Sequence, residues 1–133
     1  MTQEERNKQQ RIRRKADGNI TTHRYEKTPK GFLMRKYRNM QSRVCGVQWL
    51  KAHLYLGKEL LSREAFYKWA LQSDDFNRMY LAWVESNYER KLCPTVDRID
   101  PKYGYVLENM RWLTHSENSK LGAINRNRKQ CLN

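Results

Sequence analysis

Two short β-prone runs, Thr95–Ile99 and Met110–Leu113, flank a loop whose turn residues lie at Pro101–Gly104. The second run leads straight into Thr114-His115-Ser116-Glu117. This tetrapeptide reads as a capping box, Thr at the N-cap and Glu at the third helical position, so a helix opens there and carries Asn118. The order is strand, loop, strand, helix. One hairpin cannot bury a core alone, so the rest must come from helices. The fold expected is α+β, a helical N-terminal half packed on a C-terminal ββα unit.

The helical half is legible from periodicity. Thr28-Pro29 starts a helix, Thr as N-cap and Pro at the first helical position. Leu33, Tyr37, Met40 and Val44 then fall on one face and Arg35, Lys36, Arg38 and Arg43 on much of the rest, up to Gly46. Ser62 caps a short helix carrying Phe66, Trp69 and Ala70 inward. Ser73, with Asp74 and Asp75 in the first turn, caps another bearing Phe76, Met79, Tyr80, Trp83 and Val84. These aromatic stripes are assigned to the core. Trp49–Leu61 mixes helix and strand character around Gly57. Residues 1–27 hold few apolar side chains and read as a basic flexible or partly helical arm. The rest, 28–133, is one domain: a helical part at 28–88 and the ββα segment at 93–125.

The formal charge is +13, with +5, +5 and +3 on residues 1–30, 31–94 and 95–133. A charged tail would not spread the excess so evenly, whereas a polyanion partner accounts for it, each Lys or Arg on a phosphate releasing counterions. A merely soluble or ribosome-associated basic protein has the same composition. No apolar run approaches the about 20 residues of a membrane span, and the polar N-terminus lacks a secretory signal's apolar core. No membrane partner and a cytoplasmic location are expected. Cys45, Cys93 and Cys131 form no paired motif and the three His fall at no finger spacing, so reduced thiols are expected and not a structural zinc site.

A carboxylate near a strand end and an amide oxygen on the following helix can converge on one hard cation such as Mg²⁺ or Mn²⁺. Asp97 and Asn118 are of the right type and order, although the same residues are ordinary in turns and at surfaces. The segment VDRIDPKYGYVLENMRWLTHSEN resembles the HNH motif of the ββα-metal (His-Me finger) nucleases, in the form seen in phage homing endonucleases. The matching residues are Asp97 and Arg98, then Asn109 eleven positions after Arg98, then Asn118 nine later. The resemblance implies a phage endonuclease that hydrolyses duplex DNA in the host cytoplasm with one divalent ion. Asp97 and Asn118 would be its ligands, and Asn109 would tie the loop and orient the catalytic group. A monomer is expected.

Arg98 stands where the family's first His takes a proton from water. A guanidinium stays protonated at physiological pH, so Arg98 can clamp a phosphate but not deprotonate water. Within the superfamily, variants carrying Arg can recruit His or Tyr from outside the motif. In AHLYL, His53 and Tyr55 would point the same way if the run is a strand. His53 is the first nominee for the base and His115 the second, each with a plain structural alternative. DNA contacts are expected from the arm around Arg11–Lys15, from Arg35, Lys36, Arg38 and Arg43, and from Arg126 and Arg128. Two other classes remain: a DNA-binding relative without catalysis, and a basic RNA-binding accessory protein stacking bases on Tyr103 and Tyr105.

Overall fold

The structure, a computed structural model, describes residues 1–18 and 20–132, with side chains for all of these except 21, 22, 51 and 125–132. It is α+β, with seven α-helices and one two-stranded antiparallel sheet among the described residues. The chain divides into two units, Met1–Arg35 and Lys36–Asn133.

The arm, expected to be flexible or partly helical, holds two helices, and the first unit runs to Arg35. Helix α1, Gln3–Ala16, opens with a capping box between Thr2 and Glu5 and closes on Arg13, Arg14 and Lys15. Its charges thus oppose the helix dipole at both ends, which lets it form with no buried residue. Helix α2 is Ile20–Glu26. The Thr28 hydroxyl donates to Tyr25 O at 2.6 Å and accepts from Gly31 N–H at 3.2 Å, capping helix α3, Pro29–Val44. Gly31 is required there, since any Cβ would meet the Tyr25 carbonyl. Arg35 pairs with Glu26 at 3.2 Å, which neutralises part of its charge.

In the second unit, Tyr37 and Met40 are buried on the remaining turns of α3, and Gly46 ends them at φ +77°. The stretch of mixed character contains no strand. It forms a 3-10 turn at Trp49–Lys51, then the single-turn helix α4, Ala52–Tyr55. Ser62 and Ser73 cap helices α5, Arg63–Leu71, and α6, Asp74–Glu85, each hydroxyl accepting a backbone N–H at 3.2 Å. Strands β1, Pro94–Arg98, and β2, Met110–Thr114, pair with Val96 opposite Trp112 and Asp97 opposite Arg111. Trp112 is buried with Phe76, Trp69 and Phe66, ring centroids 4.7, 5.3 and 6.3 Å away. Of the stripes on α5 and α6, Phe66, Ala70, Phe76 and Met79 are buried, whereas Trp69, Tyr80, Trp83 and Val84 are half-buried.

Helix α7, His115–Leu132, begins as expected. Thr114 N–H donates to Glu117 Oε1 at 3.0 Å and Glu117 N–H to Thr114 Oγ1 at 3.2 Å. These bonds hold the Glu117 carboxyl below its usual range. Among the described residues no helix is long and apolar enough to cross a membrane.

The loop between the strands is anchored from outside the hairpin. Tyr105 N–H donates to Glu59 O at 2.7 Å and Leu61 N–H to Tyr105 O at 2.8 Å, a parallel bridge centred on Leu60 and Tyr105. A Cβ on Gly104 would collide with the Glu59 backbone. Backbone cannot yield as a flexible side chain can, so Gly104→Ala is expected to cost about 3 kcal/mol, the upper end for overpacking. Chemical denaturation checks this, and a loss below about 0.5 kcal/mol would show the loop accommodating the methyl group.

Candidate active site

Asp97, Arg98 and Asn118 line one cavity of about 620 Å³, together with Arg43, Arg111 and Tyr55. Each reaches it through local structure. Asp97 and Arg98 end β1, and Arg111 is the cross-strand partner of Asp97. Thr95 and Asp97, two apart on a strand, share a face. Asn118 Nδ2 donates to Thr95 Oγ1 at 3.2 Å, which sets the helix residue beside that face. One two-residue repeat, about 7 Å along the strand, separates Thr95 from Asp97. The carboxylate and the carboxamide of the sequence reading thus line the same cavity.

The donor set suits a hard cation that keeps most of its shell as water and phosphate. Asp97 Oδ2 accepts from Arg111 Nε at 2.8 Å, leaving Oδ1 for another partner. Asn118 spends its amide nitrogen on Thr95, which leaves its oxygen. Among the described residues no group of three or more His, Cys, Asp or Glu could hold a metal ion. Three guanidiniums against one carboxylate make the cavity net cationic. An anion must accompany any metal.

Arg98 is both a strut and a wall. Its Nη1 donates to the carbonyls of Leu54, Pro101 and Tyr103, each at 3.1 Å, and its Cζ sits 4.1 Å from the Tyr55 ring centroid. Its Nε and Nη2 hold no hydrogen bond among the described residues. Tyr55 lies parallel to Tyr105, 7° between planes and 6.1 Å between centroids. The Tyr105 hydroxyl accepts from Arg43 Nη1 at 3.0 Å, and Arg43 Nε is buried without a hydrogen-bond partner in the described structure. Burial pushes the Tyr105 hydroxyl up despite the adjacent Arg43, so it stays protonated.

Asn109 is 7 % exposed and ties the loop together. Its Nδ2 donates to Asp100 O at 2.9 Å and Gly104 O at 3.0 Å, while its Oδ1 accepts from Asp100 N–H at 2.8 Å. It does not line the cavity, and its part is to position the loop holding Arg98.

His53 is not brought to the site. Residues 52–55 are helical, so side chains two apart diverge by about 200°, and the shared direction expected of a strand does not hold. Tyr55 lines the cavity, whereas His53 is exposed and does not. His115 lines a smaller neighbouring cavity that also includes Asn118. Arg43 likewise departs from expectation: it is half-buried at the edge of the apolar face, 60° from Met40 on the helical wheel, and does not share the solvent face of Arg35 and Arg38. Lys36 is half-buried, and the side chains of Arg126 and Arg128 lie outside the described residues. Tyr103 is 57 % exposed but Tyr105 only 1 %, so the expected pair of exposed stacking tyrosines is absent. Sequence reasoning missed Arg111 and the inward turn of Arg43, and it put His53 ahead of Tyr55. Only Arg43 carried a local signal, its place next to the apolar stripe. Comparison with protein-family models, with curated proteins and with solved structures finds no match.

Proposed function

We propose that the protein is a metal-dependent endonuclease of the HNH type that hydrolyses phosphodiester bonds in duplex DNA. The observation that carries this reading is one cavity shared by Asp97 of the hairpin, Asn118 of the adjoining helix and three guanidiniums. Asp97 Oδ1 and Asn118 Oδ1 would hold one Mg²⁺ or Mn²⁺. When bound, such an ion supplies neutralisation of the scissile phosphate and stabilises the leaving oxygen. Arg43, Arg98 and Arg111 draw the anionic backbone into the cavity, and Arg98 presents its unspent nitrogens to a phosphate oxygen. Asn109 keeps the loop that supplies two of the Arg98 acceptors in one shape. Duplex DNA is preferred to single-stranded RNA because Tyr105 is withdrawn from stacking.

A second reading has its own support. The three carbonyl bonds of Arg98 are those of a structural strut, as a DNA-binding relative without catalysis would use it. A plasmid-nicking assay separates the two. The nuclease converts supercoiled DNA to nicked or linear forms with Mg²⁺ or Mn²⁺ and not in EDTA. DNA binding without nicking in either metal selects the second reading.

A further inference from the structure

The cavity next to the candidate active site has a different chemistry. It encloses about 330 Å³, and its polar lining includes Lys36, Asn39, Arg43, His115, Asn118 and Ser119. Among the described residues no carboxylate lines it. The side chains of Asn39, His115 and Ser119 make no hydrogen bond among the described residues, so their donors are unspent. Donors and cations without a carboxylate describe a site for an anion. Arg43 and Asn118 line this cavity and the larger one alike, so an anion here would stand beside whatever occupies the first.

We infer that this cavity binds a backbone phosphate of duplex DNA flanking the one held at Asp97 and Asn118. Successive phosphates on a DNA strand are covalently linked and carry one charge each, which suits two adjoining cavities that share a guanidinium. Arg43 bridges the two, whereas Lys36, Asn39, His115 and Ser119 line the flanking cavity and not the larger one. This deepens the nuclease reading and rests on it for the identity of the polymer. It does not require cleavage, since a phosphate can be held where none is cut.

The experiment therefore measures binding in EDTA. Asn39 is exposed on α3, so Asn39→Asp puts a carboxylate into the cavity with little risk to folding. Gln41→Glu adds the same charge two residues along, off the cavity lining, as the control. Asn39→Asp is expected to weaken binding of a short DNA duplex about tenfold near 0.1 M salt and to flatten the log–log salt dependence by about one, the loss of one phosphate contact. Gln41→Glu is expected to change affinity less than about twofold. In a second arm, the free protein is titrated with inorganic phosphate against chloride at equal ionic strength, and the His115 ring is followed by NMR. A saturable shift in the wild type that Asn39→Asp removes supports the site. Equal effects of the two substitutions, or a His115 signal indifferent to phosphate, would overturn it. Tighter binding of single-stranded RNA than of the duplex would overturn the DNA assignment. Failure of metal-dependent nicking with these binding results intact would sink the nuclease reading and leave the phosphate site standing.

Discussion

Asp97→Ala is expected to reduce metal-dependent nicking by about a thousandfold, the upper range for losing one preorganised electrostatic group, while duplex binding in EDTA holds or tightens. The two halves of this result have one cause. Asp97 is the single carboxylate in a cavity with three guanidiniums. Its removal takes away the anionic ligand for a cation and also the nearest repulsion for a phosphate. The fold should barely respond. The bond to Arg111 is partly exposed, with side-chain exposures of 44 % and 21 %, and such pairs contribute about 0–1 kcal/mol. Asn118→Ala should follow the same pattern, whereas His53→Ala should nick at near the parental rate. A plasmid assay beside a filter-binding titration measures all three. Parental nicking by Asp97→Ala in Mg²⁺ would dismiss the proposed metal site, and weaker DNA binding by that variant would contradict the charge argument.

Asn109→Ala is expected to be the most destabilising single substitution in the loop, at about 3 kcal/mol, the upper end for stranding buried polar groups. Three hydrogen bonds end on this one side chain. Its truncation leaves the carbonyls of Asp100 and Gly104 and the N–H of Asp100 without it. Asn109→Asp is the sharper variant, since it keeps the shape and one acceptor but replaces two donors by lone pairs facing carbonyls. Both should lower the denaturation midpoint, and both should depress nicking, because Arg98 takes two of its three carbonyl partners from the same loop. A stability loss of less than about 1 kcal/mol in both variants would mean that the loop is held by its backbone alone.

Legibility in the sequence followed the range of the interactions. The caps at Thr28, Ser62, Ser73 and Thr114 were readable because a hydroxyl and the N–H it accepts lie three residues apart. The strand–loop–strand–helix order and the inward faces of α5 and α6 follow from similarly local periodicities. The pairing of Asp97 with Arg111 was not readable, since the long loop between them conceals the register. Nor was the role of residues 54–61, several of whose partners lie more than forty positions away at Arg98, Pro101, Gly104 and Tyr105. That run lacks an amphipathic period because much of its contribution is made by backbone carbonyls, which every residue type supplies. Thus Tyr55 and not His53 reached the cavity, and the strand reading that paired them had no local evidence against it.

The anchoring of the hairpin loop bears on how modular the ββα unit is. Lys58 Nζ donates to Pro101 O, Leu54 O accepts from Arg98, and Glu59 meets Gly104 and Tyr105. A brace contributed from so far upstream ties the unit to its own helical half. Transplanted into another scaffold without residues 54–61, the hairpin would arrive with its cavity rim unsupported, so recombination or grafting must carry both segments together.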